Sequence, residues 1–139
     1  MVADEKLTVH FLNTGVPHAV VFVEELEKTD VVRLGRALRY HPHFAPKGTN
    51  ANFASELPGG GIAIRTYERG VEDETLACGT GVVAAALLFA RLTSAASPVS
   101  VTVRGGETMQ VGFEQDGDGW KNVTLTGPAD FVFDGKLEL

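Results

Sequence analysis

The feature that most constrains the fold is an apolar run, VVAAALLFA at residues 82–90, which has no polar face. Small residues precede it, and residues 75–92 together predict one helix. A helix that is apolar on all sides has to be enclosed by other elements of the protein. Residues 82–92 include Arg91 and are well short of the roughly 20 residues that span a bilayer. We therefore expect a helix at the centre of a protein core.

Short segments elsewhere in the chain have the composition of β-strands. Two lie on either side of an NTGVPH turn, two flank a Pro-Gly-Gly turn, and four follow the helix, divided by glycine-rich turns. The predicted strands are residues 7–12, 19–23, 50–55, 61–67, 99–103, 107–113, 121–126 and 131–133. A largely antiparallel sheet curled around the apolar helix accounts for both observations.

A second, shorter helix is predicted between these strands. Apolar residues recur at helical spacing over residues 31–38, Thr29 or Asp30 can cap the first turn, and Pro42 marks the end. The fold class expected is therefore α+β, with about eight mostly antiparallel strands curled as a barrel around one buried central helix, plus a short surface helix. We expect residues 1–139 to form a single domain of this kind.

Charge and cysteine content argue against several functions. The net charge of -6 argues against a general affinity for nucleic acid or for an anionic membrane. The one cysteine, Cys78, can form no internal disulfide, and residues 1–6 carry charges where a signal peptide would be apolar, so a cytoplasmic protein is expected.

His10, His41 and His43 lack the spacing of a zinc site, and no phosphate-binding glycine loop is present. We expect neither a metal ion nor a cofactor.

The segment RTYERGVEDETLACGTG, residues 65–81, carries the strongest indication of chemistry. Cys78 is predicted in the first turn of the buried helix, where unpaired backbone N–H groups and the helix dipole favour a thiolate. The same N–H groups, near Gly79, Thr80 and Gly81, can bind a small carboxylate. A thiolate base beside a bound carboxylate indicates removal of a proton next to a carbonyl group.

Each of these residues also has an explanation that involves no function. A lone cysteine is often a small buried apolar residue, and Glu68 with Arg69 is often a solvated ion pair. The Gly-Thr-Gly sequence after Cys78, however, places helix-weakening residues at the start of a core helix, which is typical of a functional site. The segment alone leaves both interpretations open.

Two other segments contain candidate binding residues. His18 ends the turn that begins at Asn13, and it is either a functional histidine or a surface residue of a turn. Asn50 and Asn52 lie on the same side of a predicted strand. Because asparagine is a poor strand former, this pair indicates a binding role, with polar residues of an edge strand as the alternative.

Taken in order, these segments resemble the C-terminal half of the diaminopimelate epimerase family, which converts LL-diaminopimelate to the meso form without pyridoxal phosphate. The similar segments are NTGVPHAV, NANF, RTYERGV, ETLACGTG and LTGPADFVF, and they extend over almost the whole chain. The family fold is a pair of similar lobes, each a strand-rich barrel around a central helix. The resemblance implies one such lobe, acting without a cofactor.

The resemblance also implies roles for individual residues. Cys78 corresponds to the catalytic cysteine of the second lobe, while His18 and Glu68 correspond to residues that tune the acidity of the catalytic thiols. The residues that correspond to substrate-binding positions are Asn50, Glu68, Arg69, Gly79 and Thr80.

Three departures from the family pattern matter. Val16 stands where many relatives have an asparagine that contacts the substrate, and Asn13 is a candidate replacement. The turn at residues 71–74 is one residue longer than the common form. The family's first lobe, with its own cysteine, has no counterpart in the 139 residues. Inversion of a carbon needs an acid and a base on opposite faces, so we expect half of a site that is inactive without a first lobe as partner.

Two other functions are left open by the sequence. A related cofactor-free racemase or isomerase, of the proline racemase or phenazine type, would share the lobe and differ in its pocket, although the ERG and ACGTG segments favour the epimerase. A catalytically silent binding or assembly module, from a truncated gene, is the alternative from another class, and only turnover separates it from an enzyme. A small-molecule substrate and a first lobe are the expected partners, and self-association into a homodimer is left open.

Overall fold

The structure is a computed structural model that describes residues 2–127. Its strands are β1 (His10–Asn13), β2 (Pro17–Phe22), β3 (Asn50–Glu56), β4 (Ile62–Glu68), β5 (Asp73–Thr75), β6 (Val99–Thr102), β7 (Thr108–Asp116) and β8 (Gly119–Thr126). Helix α1 spans Val31–Arg39 and helix α2 spans Gly79–Thr93. Two short 3-10 turns, Leu26–Lys28 and Pro42–Phe44, flank α1.

All of these strands belong to one mixed sheet. Their order is β1-β2-β3-β4-β6-β7-β8, and β5 pairs with the other part of β4. Only β2 with β3 and β4 with β6 run parallel, and the other pairs are antiparallel. The predicted α+β class, with mostly antiparallel strands curled around a helix, is therefore confirmed. The strand predicted at residues 131–133 lies outside the described residues, and the unpredicted β5 completes the set of eight.

Helix α2 lies at the centre of the curled sheet, as its apolar sequence predicts. It contacts β1, β2, β3, β4, β6 and β7, and all of its residues from 84 to 90 are buried. This enclosure is what a helix without a polar face requires. Within residues 2–127, neither this helix nor any other has the length and apolar character needed to cross a membrane.

The start of α2 differs from the prediction. The helix was expected from Thr75, but Thr75 pairs with Thr66 in the sheet, so the chain first has to leave β5 before it can coil. The helix therefore begins at Gly79, and Cys78 is its N-cap residue rather than a member of its first turn. Similarly, β1 begins at His10, three residues later than predicted.

Helix α1 covers the outer face of the sheet at β3 and β4. The Asp30 carboxylate accepts a hydrogen bond from the backbone N–H of Arg33, which confirms Asp30 as the cap. Gly35 allows a close approach, because a Cβ there would overlap the side chain of Tyr67. The centre of the sheet is thus covered on both faces, by α2 inside and by α1 outside.

Candidate active site

The inward face of the sheet changes from apolar to polar towards the N-terminal end of α2. On β2, β3 and β4 the apolar inward residues are Val20, Ala54 and Ile64, and the polar ones beyond them are His18, Asn52 and Thr66. Asn52 pairs in register with Val20 on one side and with Thr66 on the other. All three polar side chains are buried. Buried polar groups need hydrogen-bond partners, and here they find them in one another and in α2.

Cys78 lies at the mouth of this polar cluster. Its backbone is extended, with φ -138° and ψ 108°, and its carbonyl accepts the first hydrogen bond of α2 from Val82 at 2.9 Å. The side chain is half-buried, and its sulfur lies 3.6 Å from Oγ1 of Thr80. The thiol is therefore neither sealed in the core nor fully solvated, and the positive end of α2 lies beside it.

Thr80 links the helix to the sheet. Its Oγ1 lies 2.8 Å from Nε2 of His18, and its carbonyl accepts a hydrogen bond from Oγ1 of Thr14 at 3.1 Å. A continuous chain of contacts therefore runs from Cys78 through Thr80 to His18.

His18 is held in its neutral form. Its side chain is fully buried, and burial together with the nearby positive charge of Arg69 lowers the pKa of His18 to about 4. At neutral pH the ring carries no charge, so it acts on its neighbours through directed hydrogen bonds.

The two glycines on either side of Thr80 differ in how much space surrounds them. A Cβ at Gly81 would lie 2.5 Å from Oδ1 of Asn52, so this buried position has no room for a side chain. Gly79 is exposed, and a Cβ there would meet only the end of the Leu125 side chain, at 3.3 Å. The Cys78 side chain makes no capping hydrogen bond to the first turn of α2. The first-turn N–H groups are therefore not used by that side chain, which leaves them suited to an anion.

Asn50 holds the segment that follows β4. Its Oδ1 accepts a hydrogen bond from the backbone N–H of Arg69 at 2.7 Å, and its Nδ2 donates to the carbonyl of Pro17 at 3.0 Å. Glu68 is the last residue of β4 and is half-buried. Among residues 2–127 its carboxylate has no hydrogen bond or ion pair with another side chain. Asn50 is thus joined to Arg69, and Glu68 precedes Arg69 in the chain at the end of β4.

The long turn after β4 is fixed by Glu72. This residue has a positive φ of 59°, and its carboxylate pairs with the Arg39 guanidinium at 3.0 Å and accepts a hydrogen bond from the Tyr40 hydroxyl at 2.9 Å. The Arg39 and Tyr40 hydrogen bonds lower the pKa of Glu72, against the opposing and larger single effect of desolvation. Glu72 is therefore anchored at the end of α1, and β4 ends at Glu68.

Asn13 stands apart from these groups. Its side chain is exposed, and Oδ1 accepts a hydrogen bond from the N–H of Gly15 at 2.8 Å, which shapes the turn between β1 and β2. Val16, in the same turn, is half-buried. The side-chain oxygen of Asn13 is thus already used locally. No set of three or more histidine, cysteine, aspartate or glutamate side chains within residues 2–127 is arranged to hold a metal ion.

Two residues of the site were not predicted. Thr66 donates a hydrogen bond from Oγ1 to Oδ1 of Asn52 at 2.8 Å, and Thr14 binds the start of α2. Thr66 had a detectable signal, since it follows Ile62 and Ile64 at the two-residue spacing of an inward strand face. Thr14 had none, because hydroxyl residues are common in turns.

Solved structures of other proteins have a similar fold. A hydroxyproline epimerase from Agrobacterium vitis, solved with trans-4-hydroxy-L-proline, superposes with a TM-score of 0.56 at 14% identity, over 86% of this chain and 40% of its own. A phenazine biosynthesis protein of the PhzF family from Bacillus anthracis superposes with a TM-score of 0.55 at 15% identity, over 81% of this chain and 36% of its own. At such identities the likeness defines the fold class.

Sequence comparison defines the family. The family model for diaminopimelate epimerase matches residues 10–132. The diaminopimelate epimerase of Aquifex aeolicus is 50% identical over 128 residues, which are 91% of this chain and 45% of that protein. That of Archaeoglobus fulgidus is 46% identical, over 96% of this chain and 45% of its own. The chain belongs to the diaminopimelate epimerase family, and it spans about half the length of the curated relatives it matches.

Proposed function

We propose that the chain forms one lobe of a diaminopimelate epimerase, in which Cys78 is one of two cysteines that interconvert the LL and meso forms without a cofactor. The observation that carries the proposal is the position of Cys78: a half-buried sulfur at the N-terminus of α2, in contact with a hydroxyl that is itself bound to a neutral histidine. Membership of the family supplies the substrate class.

The reaction needs two opposed groups. One thiolate removes the α-proton and becomes a thiol, the electron pair stays on the α-carbon and its carboxylate, and a second thiol returns a proton on the opposite face. The chain contains one cysteine, so it supplies one of these groups. We assign the opposed cysteine to a first lobe, with residues 1–139 as the second.

The residues around Cys78 suit an amino-acid substrate. The N–H groups of Gly79 and Thr80 are assigned to the carboxylate beside the reacting carbon, where the helix N-terminus favours negative charge. Glu68 and Arg69 are assigned to the charged amino-acid end, with Asn50 holding Arg69 in place through its backbone. Asn13, whose side-chain oxygen accepts one hydrogen bond within its own turn, is assigned a contact with substrate through its exposed side-chain amide.

The test is an epimerisation assay with purified proteins. LL- and meso-diaminopimelate are each incubated with the chain, with a separately prepared first lobe of a relative such as the Aquifex aeolicus enzyme, and with both together. The isomer ratio and the exchange of the α-hydrogen in heavy water are measured. We expect turnover only when both lobes are present.

The controls separate an enzyme from a silent module. A Cys78→Ala chain should bind the first lobe and restore no turnover, because the base is missing. Robust epimerisation by the chain alone would contradict the half-site assignment. A stable complex of the two unaltered lobes without any exchange would instead favour an assembly module.

A further inference from the structure

The orientation of the buried Asn52 amide is fixed by one neighbour that can only accept hydrogen bonds. The carbonyl oxygen of Ala19 lies 3.0 Å from one end of the amide, so that end must be Nδ2, which donates. At the other end, Thr66 donates its hydroxyl to Oδ1 at 2.8 Å. Both contacts agree, and the amide therefore has a single orientation.

The second hydrogen on Nδ2 determines the state of His18. Nδ2 of Asn52 lies 3.0 Å from Nδ1 of His18, and an amide nitrogen cannot accept a hydrogen bond. Nδ1 is therefore the acceptor and carries no proton. A neutral imidazole has one proton, so it lies on Nε2.

This tautomer sets the direction of the contacts that lead to the cysteine. Nε2–H of His18 donates to Oγ1 of Thr80, at 2.8 Å. The Thr80 hydroxyl is then free to donate its own hydrogen to the sulfur of Cys78, at 3.6 Å. In the opposite tautomer Nε2 would accept, the Thr80 hydrogen would point to the histidine, and the sulfur would lose its donor. Hydrogen bonds to the charged form favour that form.

We propose that Asn52 is a positioning residue that holds His18 in the Nε2–H tautomer and thereby directs the Thr80 hydroxyl towards the Cys78 sulfur. The effect of Asn52 on catalysis rests on the proposed function, in which Cys78 acts as a thiolate base. The tautomer itself does not depend on turnover. The hydrogen bonds of the Asn52 amide go to His18, Ala19 and Thr66, and Asn52 acts on the Cys78 sulfur through His18.

The test is nitrogen-15 NMR of the full chain at neutral pH. In the unaltered chain we expect His18 to show a protonated Nε2 and a bare Nδ1, with a scalar coupling between Nδ2 of Asn52 and Nδ1 of His18 across their hydrogen bond. In Asn52→Asp a carboxylate replaces the donor and can only accept, so the bare Nδ1 signal should be lost as that nitrogen gains a proton. A purely structural role for Asn52 would not move this proton.

Thr66→Val is the matched control. It removes a hydrogen bond from the same Asn52 amide at a similarly buried position but leaves the contact with His18, so the bare Nδ1 signal should persist. A proton on Nδ1 in the unaltered chain would overturn the inference, as would a folded Asn52→Asp chain whose Nδ1 stays bare. If Asn52→Asp does not fold, the coupling in the unaltered chain decides. If the epimerisation assay fails but NMR shows a bare Nδ1 on His18, the proposed function is contradicted and the tautomer assignment stands.

Discussion

The side-chain oxygen of Asn52 occupies the space that a Cβ at Gly81 would need, 2.5 Å from its ideal position. Gly81 is in the first turn of α2, and Asn52 is in the middle of β3. The helix can therefore approach the polar end of the sheet closely only because residue 81 has no side chain. This contact brings Thr80 and Cys78 to His18.

Replacement of Gly81 by alanine should separate these elements. Because the clash is with a buried amide that is held from both ends, we expect Gly81→Ala to destabilise the chain by about 1–3 kcal/mol, despite the better helix propensity of alanine. Gly79→Ala, two residues away, meets only the flexible end of Leu125 and should change stability by less than about 0.5 kcal/mol. Chemical denaturation of the two variants measures the difference, and equal stabilities would contradict the close approach.

The neutral state of His18 predicts how stability depends on pH. The folded-state pKa of about 4 lies below the unfolded value of about 6.5, so the unfolded chain binds a proton first as the pH falls. Above pH ~6.5 the protonation of His18 costs the folded chain no stability. Between pH ~6.5 and pH ~4 the free energy of unfolding falls by roughly 3 kcal/mol, because the unfolded chain binds this proton more readily than the folded chain does. The free energy of unfolding measured across this window should fall accordingly.

A substitution isolates the contribution of His18 from that of other groups. His18→Gln removes the titrating ring, so the slope of stability against pH between about 4 and 6.5 should become shallower. His43→Gln, at an exposed position, serves as the matched control and should retain the slope. An unchanged slope in His18→Gln would mean that the folded chain protonates this ring as readily as the unfolded chain does.

Arg65 and Arg104 both pair with the Glu74 carboxylate, and we expect their replacement to affect stability differently. Its Nε and Nη2 donate to the two oxygens of Glu74 at 2.8 and 2.7 Å, and its Nη1 donates to the carbonyls of Leu26 and Thr29. A lysine cannot reproduce this planar set of donors, so we expect Arg65→Lys to lower stability by about 1–3 kcal/mol.

The control for Arg65 is Arg104, which reaches Glu74 through a single contact at 3.1 Å and is 45% exposed at its side chain. Arg104→Lys should cost less than about 0.5 kcal/mol, because exposed ion pairs contribute little. Thermal unfolding of the two variants provides the comparison. A loss in Arg104→Lys as large as in Arg65→Lys would contradict the larger contribution assigned to the set of donors on Arg65, since both substitutions keep the positive charge.

Much of the fold could be predicted because its main signals are local. The apolar run from Val82 to Ala90 required a surrounding sheet, and the glycine-rich turns marked where strands end. The short strand β5 could not be predicted in this way, because Asp73 and Glu74 are poor strand formers. The strand is held by pairing with β4 and by the ion pair between Arg65 and Glu74. For the same reason the start of α2 was predicted too early.

The candidate site was predicted in part. Cys78 stood out because glycines follow it at the start of an apolar helix, and the pair Asn50 and Asn52 stood out as polar residues within a strand. The different hydrogen-bond partners of the two asparagines did not follow from the sequence: Asn50 binds the backbone of Arg69, while Asn52 binds His18. That difference depends on which strands are neighbours, and the parallel pairing of β2 with β3 joins residues more than 30 positions apart.

The contact between Thr80 and Cys78 predicts that the reactivity of the thiol depends on the Thr80 hydroxyl. In Thr80→Val the side chain keeps its shape but has no hydrogen to donate to the sulfur, and Nε2 of His18 loses its partner. A hydrogen bond to a charged group is worth about 1.5–3 kcal/mol, and this one is long at 3.6 Å, so we expect alkylation of Cys78 by iodoacetamide at neutral pH to slow by a factor on the order of three or more. Thr80→Ser retains the hydroxyl and should react at nearly the rate of the unaltered chain. Unfolding measured on both variants excludes a loss of structure as the cause. Equal alkylation rates in Thr80→Val and Thr80→Ser would show that the helix N-terminus alone activates the thiol, and that the contact between Thr80 and Cys78 contributes nothing to its reactivity.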